Sequence, residues 1–368
     1  MRIGIDARYA EDNFTGIGKY IFNLALNLSQ KGNEVVLLYS KQPKQKIEGK
    51  NIYSKILFFR NKFLFEQLSL PIYLKKEKID IYHAVGNLGV PVFSPCPSVL
   101  TVHDIIPLLV KDYFKFSPFG YFSKLSYLLR LKISLYFSLK VISVSEFTKR
   151  SLVEKLGVSE KKIKVIYNGV FVGKKKERLP SQIKKNRYIL NHGGIDRRKN
   201  LYRLIKAFSI IVGEFPDYKL VITGKNYKLE SNLLNLVKKL KINDSVLFTG
   251  YVKEEILWNL IRGAKCICFP SEIEGFGIPV LEGLAAGVPV VASNTSGIAE
   301  IAKETAVLIN PYDISEIAKG IKKVLIDKNL RNNLIKEGLK RAKKFSWQKT
   351  VDEVLGVYKE ILNCKAKR

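Results

Sequence analysis

The feature that most constrains this chain is the alternation, along nearly its whole length, of short β-branched runs with amphipathic helical stretches. Arg2–Asp6 is short and apolar, and it runs into a turn-rich stretch holding Gly16 and Gly18. Ile17, Tyr20, Ile21, Leu24, Ala25 and Leu28 then recur at the spacing of one helical face, and Gly32 is placed to end that helix. Glu34–Tyr39, Ile79–His83, Ser98–Val102, Val141–Val144 and Ile163–Tyr167 read as further strands. The second half repeats the plan with Tyr188–Asn191, Lys219–Thr223, Val246–Thr249, Cys266–Phe269, Val288–Ala292 and Ala306–Ile309. Between its first two strands, Leu201, Leu204, Ile205, Phe208, Ile211 and Val212 form a helical stripe. Strands separated by helices imply crossovers and a mainly parallel sheet. The expected fold class is therefore α/β, with two Rossmann-like domains, 1–172 and 173–345, facing a central cleft. The basic, polar stretch Gly173–Arg187, which contains Pro180 and lacks apolar periodicity, is expected to link them.

In open parallel sheets, ligands bind outside the carboxyl ends of the strands. His83, His103 and His192 each stand at the carboxyl end of an expected strand, and their spacing is not that of a metal motif. The strongest local pattern runs from Pro270 to Glu282, after the strand Cys266–Phe269 and into a helix that Pro279 suits as a first-turn residue. Gly275 and Gly277 let the backbone approach a ligand, and the helix N-terminus offers free N–H groups to a phosphate. Glu274 and Glu282 could bracket that ligand, one accepting sugar hydroxyls and the other ribose hydroxyls. A second cluster, His192 to Asn200, combines Gly193 and Gly194 with Arg197, Arg198 and Lys199 at a strand-to-helix turn, which suits a diphosphate. Gly16-Ile17-Gly18 alone is a weak glycine signal. There is no Asp-x-Asp triplet, Gly-x-Ser-x-Gly elbow or Walker loop.

These pieces together resemble glycosyltransferase family 4, a family of GT-B fold. The resemblance is carried by Gly4–Arg8 with Thr15–Tyr20, Thr101–Asp104, Val144–Phe147, Tyr167–Val170, Gly193-Gly194 with Arg198–Asn200, Glu274–Pro279 with Glu282, and Gly287–Ser293. The opening, the Thr-Val-His-Asp piece and the Arg-Lys-Asn piece are most similar to the mannosyltransferase-type branch that builds bacterial O-antigen and related polysaccharides. The resemblance implies a retaining, metal-independent transfer of a hexose from a nucleotide sugar, with GDP-mannose the expected donor and a UDP-sugar the alternative. No cofactor or metal is implied. Lys199 matches the lysine that neutralises the leaving diphosphate. Glu274 matches the glutamate on the donor-sugar hydroxyls, Gly275, Phe276 and Gly277 the amides near sugar and phosphate, and Glu282 the ribose-binding glutamate. His103 matches the residue beside the reacting centre, Gly16 and Gly18 the loop over the phosphates, and Gly250, Tyr251 and Val252 the base pocket. The family often has an arginine where this chain has Gly194, so Arg198 or Arg197 is the expected substitute cation. Residues 346–368 are expected to form a helix packing back towards the N-terminal domain.

Charge adds a partner. Lys and Arg number 63 against 33 Asp and Glu, a formal net charge of +30, which favours anionic partners. Cations interleave with aromatic residues in Lys44–Lys78 and again in Lys111–Lys140, where Phe116 and Phe119 contribute. That mixture suits an anionic membrane surface and a lipid-linked or oligosaccharide acceptor. The N-terminus lacks the pattern of a signal peptide, and no apolar run is long enough for a transmembrane helix, so the expected location is cytoplasmic, peripheral on the inner face of the plasma membrane. A nucleic-acid-binding protein would share the charge but leaves the Glu274–Glu282 loop unexplained and shows no motif. A catalytically inactive binding protein is the alternative of another class. The four cysteines are too scattered for a disulfide framework, and Cys266 and Cys268 are expected on opposite faces of one strand.

Overall fold

A computed structural model describes residues 1–12, 16–59, 61–111, 113–114, 120–173, 183, 187–225 and 227–366. The chain divides into two compact units, Met1–Gly169 with Trp347–Arg368, and Val170–Ser346. Most of the expected linker, with Thr15, Phe116 and Phe119, lies outside the described residues.

The first unit is built on β1 (Arg2–Asp6), β2 (Glu34–Tyr39), β3 (Ile52–Ile56), β4 (Ile81–Ala84), β5 (Ser98–Val102), β6 (Lys140–Ser143) and β7 (Ile163–Val165). They pair in the order β3-β2-β1-β4-β5-β6-β7, and every pairing is parallel. The order reverses at β1 and β4, a switch point of the kind where such sheets bind ligands. Alternation along β2 shows why the sheet is apolar throughout. Val35, Leu37 and Tyr39 enter one core cluster with the helix Ile17–Gln30, while Val36 and Leu38 enter another with Leu131 and Leu135 of the helix Gly120–Phe137.

The last helix, Trp347–Ala366, belongs to this unit. Its Val351, Val354 and Tyr358 are fully buried in the cluster holding Ile3 and Ile5. Gly169 is needed for the return, since a Cβ there would lie 2.4 Å from Trp347 N.

The second unit holds β8 (Tyr188–Asn191), β9 (Lys219–Thr223), β10 (Val246–Gly250), β11 (Cys266–Phe269), β12 (Val290–Ser293) and β13 (Val307–Ile309), paired in parallel as β10-β9-β8-β11-β12-β13. Here the switch point lies between β8 and β11. The stripe predicted for the helix Leu201–Glu214 is the one it buries, through Leu204, Ile205, Phe208 and Ile211.

Two sequence expectations need correction, and one strand had no counterpart among them. β3 was not foreseen, because Ile52–Ile56 is a half-exposed edge strand without a clean apolar pattern. Cys266 and Cys268 do not face opposite ways. Both enter one core cluster, as residues two apart on a strand must. His83 is no ligand-facing residue either. It is fully buried within β4, with Nδ1 2.6 Å from the Tyr358 hydroxyl and Nε2 2.7 Å from Thr101 Oγ1.

Candidate functional site

The turn after β8 and the turn after β11 meet in the second unit at its switch point. After β8, Asp196 caps a single 3-10 turn, Arg197–Lys199, by accepting from Arg198 N at 3.0 Å. Asn200 then takes a left-handed conformation (φ 58°), and its side-chain amide donates to Pro270 O at 3.0 Å and to Pro311 O at 2.6 Å. These bonds fix the 3-10 turn against the chain leaving β11, so Lys199 points inward although it is charged.

The Lys199 side chain is 7% exposed. Its Nζ donates to Glu274 Oε1 at 2.6 Å and stands 4.7 Å from the centroid of the Phe269 ring. A Cβ at Gly193 would lie 3.5 Å from that nitrogen and 3.0 Å from Pro279, and Gly193 sits at φ 106°, so glycine is what the close approach requires. Arg198 Nη1 donates to the other carboxylate oxygen of Glu274 at 3.1 Å. Arg197 is exposed. Of the two arginines expected to replace the cation absent at Gly194, it is Arg198 that joins Lys199 on Glu274. Gly194 itself holds φ 94° with open space where a side chain would stand.

Burial would raise the pKa of Glu274, but Lys199 and Arg198 outweigh it and hold the carboxyl below its ordinary range. The group is therefore ionised at neutral pH, and any anion arriving at Lys199 competes with it.

The loop carrying Glu274 is fastened from β12. Ser296 Oγ accepts from Glu274 N at 3.1 Å, and Gly297 N donates to Glu274 O at 3.0 Å. A Cβ on Gly297 would lie 2.4 Å from Gly275 O and 2.8 Å from Phe276 N. Ser296 and Gly297 were missed in the sequence. The signal was there, an Asn-Thr-Ser-Gly turn directly after an apolar strand.

Gly277, at φ 121°, caps the helix Ile278–Ala285, which carries Pro279 in its first turn. Phe276 is buried and meets Phe345 edge-on at 6.1 Å. Glu282, one turn into the helix, does not join Glu274. It is buried, with Oε2 2.9 Å from His192 Nε2. His192 is 1% exposed, and its Nδ1 has no hydrogen-bond partner. As a carboxylate can only accept, Nε2 carries the proton and the pair presents a fixed carboxylate edge.

Gly250 ends β10 at the edge of this sheet, and Tyr251 and Val252 follow it. Gly250 O accepts from Gly224 N at 2.8 Å, and a Cβ on Gly224 would lie 2.5 Å from Gly194 Cα. Three glycine turns, all at positive φ, thus lie side by side at the ends of β8, β9 and β10. Tyr251 is exposed.

The remaining expected residues stand in the first unit. Gly16 is the N-cap of the helix Ile17–Gln30 at φ 46°, and Gly18 is buried in its first turn. His103 follows β5, and its ring stands edge-on to Tyr20 at 4.9 Å. Its Nε2 donates to Val85 O at 2.8 Å, and its backbone N–H to Asn87 Oδ1 at 2.6 Å. Because a carbonyl oxygen cannot donate, Nε2 holds the proton and Nδ1 keeps a lone pair. Burial pushes the pKa down to about 4 despite the bond to Val85, so the ring is neutral under physiological conditions.

Two family descriptions cover the chain nearly end to end: Glycosyltransferase Family 4 over residues 14–173, and Glycosyl transferases group 1 over residues 173–341. O-antigen chain mannosyltransferase B of Escherichia coli is 32% identical over 47% of this chain and 45% of its own length, so the match spans about half of that relative. An uncharacterized glycosyltransferase of Methanocaldococcus jannaschii is 30% identical over 78% of this chain and 77% of its own. Among solved structures, Anabaena HepE in complex with UDP and glucose superposes with a TM-score of 0.80 at 17% identity, covering 98% of this chain and 100% of that one. That likeness shows the GT-B fold. With both descriptions and a relative matched over most of its length in agreement, the chain belongs to glycosyltransferase family 4.

Proposed function

We propose that this chain is a retaining, metal-independent glycosyltransferase that moves mannose from GDP-mannose to a lipid-linked or oligosaccharide acceptor in surface-polysaccharide synthesis. The observation that carries the reading is the Lys199–Glu274–Arg198 arrangement beside the paired Glu282 and His192. Breaking the glycosidic bond of a nucleotide sugar places negative charge on the departing diphosphate. A buried ammonium held in a fixed position stabilises that charge without reorganising. Lys199 is assigned to the diphosphate, with Arg198 as its second cation and the amides of Gly275, Phe276 and Gly277 nearby. Glu274 is assigned to the sugar hydroxyls and Glu282 to the ribose hydroxyls, both as acceptors. Gly16 and Gly18 are assigned to the phosphates, His103 to the reacting centre and Gly250–Val252 to the base. The departing phosphate takes the acceptor's proton, so no protein nucleophile is named.

The mannose assignment is supported by the Escherichia coli relative, whose name gives its activity as an O-antigen chain mannosyltransferase. A second reading, a UDP-sugar donor, is favoured by the fold neighbour held with UDP and glucose. Location at the cytoplasmic face of the plasma membrane follows from a lipid-linked acceptor, and among the described residues no helix is long and apolar enough to cross a membrane.

The test is transfer from GDP-mannose and from UDP-sugars to a short mannan oligosaccharide in the presence of EDTA, with the new linkage read by NMR. The expected product is an α-mannoside formed from GDP-mannose at an undiminished rate. Transfer from a UDP-sugar alone overturns the donor. Loss of transfer on chelation overturns the metal-independent assignment, and a β-product overturns retention.

A further inference from the structure

We infer that the face of the first unit formed by the helix Gly120–Phe137 with Phe58 and the neighbouring residues 61–72 is a docking surface for an anionic lipid bilayer, an inference that rests on the membrane-facing reading above and assigns it to particular side chains. The helix Gly120–Phe137 leaves large apolar side chains open to solvent along its length. It is 18 residues long but buries only Leu131, Ser134 and Leu135, whereas the helix Leu201–Glu214 buries six residues out of 14. On its open side Tyr121, Leu125 and Leu129 follow one another at four-residue spacing, beside Phe122. Tyr121 is 77% exposed and Phe122 69%.

A second apolar row lies on the adjoining segment. Asn61 caps a helix by accepting from the amides of Phe63 and Leu64, and the chain then passes through a π-helical turn, Phe65–Ser69. In a π turn residues five apart fall in line, as residues four apart do in an α turn. The inserted residue therefore aligns Phe63, Leu68 and Ile72, all exposed, and Phe58 before them is 78% exposed.

The two rows are stitched into one surface. Arg130 of the long helix pairs with the buried Glu66, its Nε 3.1 Å from Oε2, and Arg8 reaches the same carboxylate at 2.9 Å. The chain between them is bonded to both sides. Gln67 Oε1 accepts from Val92 N at 2.9 Å, and Ser134 Oγ accepts from Gly89 N at 3.0 Å. Phe93, next along, is 84% exposed.

Charge selects the occupant. The helix Gly120–Phe137 contains no Asp or Glu, and between residues 58 and 76 the one acid is Glu66, spent internally. Lys62, Lys75, Lys76, Lys124 and Lys132 are exposed around the apolar rows. A second copy meeting this face across a two-fold axis would set lysine against lysine. Phosphodiester head groups would instead meet the lysines while the Tyr, Phe and Leu side chains enter the interfacial layer.

The experiment is co-sedimentation of the full chain, without nucleotide, on vesicles of phosphatidylcholine alone or mixed with phosphatidylglycerol. The comparison is with F122S/L125S/L129S and with K124E/K132E, whose substituted side chains are exposed and whose unchanged melting temperature verifies their fold. Sedimentation on the phosphatidylglycerol vesicles, weakened by salt and lowered at least about tenfold in both variants, is the expected result. Absence of binding by the wild type, or equal binding by the variants, overturns the proposal. So does a wild-type dimer that the serine variant converts to monomer with vesicle binding unchanged. A melting-temperature shift with GDP or with UDP, measured separately, distinguishes the two readings. Vesicle binding without a shift by either nucleotide leaves this surface standing and removes the donor-site assignment at Lys199, and the reverse result removes the surface alone.

Discussion

At the residue scale, Glu274 holds Lys199 and Arg198 through its two oxygens, and this makes it a competitor for any anion. Replacing it with glutamine keeps the shape and removes the charge. Glu274→Gln is expected to tighten binding of GDP about tenfold, equivalent to about 1.4 kcal/mol, while lowering transfer from GDP-mannose. Calorimetry against GDP and a transfer assay read the two effects separately, and weaker GDP binding would contradict the competition. The histidines make a pH prediction. Burial pushes His83 down to about 3 and His103 to about 4, from an ordinary 6.5. The folded chain keeps both rings neutral where the unfolded chain takes up protons. Stability is therefore unaffected by them above 6.5 and falls as pH drops below it, by at most about 1.4 kcal/mol per pH unit for each ring. Urea midpoints from pH 7 to pH 4 should fall less steeply in His83→Gln than in the wild type.

At the scale of elements, the parts of the site legible in the sequence were those whose chemistry is local. Gly277 followed by Pro279 after an apolar strand marked a helix start at which only a glycine φ fits, and the structure places it there. What the sequence could not show was pairing at long range. Nothing local says that Glu282 faces His192, ninety residues away, rather than Glu274. Nor does anything local say that His83 faces the C-terminal helix rather than a ligand, since a strand-end histidine looks the same in either role. β3 was hidden because an edge strand needs no continuous apolar run. Gly297 marks an element contact that mutagenesis can probe. Its substitution by alanine drives a methyl group against Gly275 O and Phe276 N, so Gly297→Ala should cost about 1–3 kcal/mol and weaken donor binding together. A melting curve with and without GDP reads both, and a variant with neither change would show that the loop yields freely.

At the scale of the whole molecule, the chain returns to its first unit after completing its second. Hydrophobic periodicity announced a helix after residue 346, but only the resemblance said which unit it would cover. Its buried Val351, Val354 and Tyr358 each contribute about 1.5–3 kcal/mol of burial, and Tyr358 also partners His83. A chain ending at Ser346 is therefore expected to lose cooperative folding of the first unit, seen as dye binding and rapid proteolysis within residues 1–169. A truncated chain that melts as the full one does would contradict the place given to this helix. The net charge of +30 was legible at once. Its use was not, because composition does not say whether an aromatic residue lies in a core or on a face.

The central claim is that a buried Lys199, fixed by Glu274 at the switch point of the second unit, receives a nucleoside diphosphate. Isothermal titration of GDP into the wild type and Lys199→Ala tests it most directly. The account predicts binding to the wild type that weakens by at least about tenfold in the variant, with the fold intact by circular dichroism. Equal affinity in the two proteins, or no binding of GDP or UDP to the wild type, would contradict it.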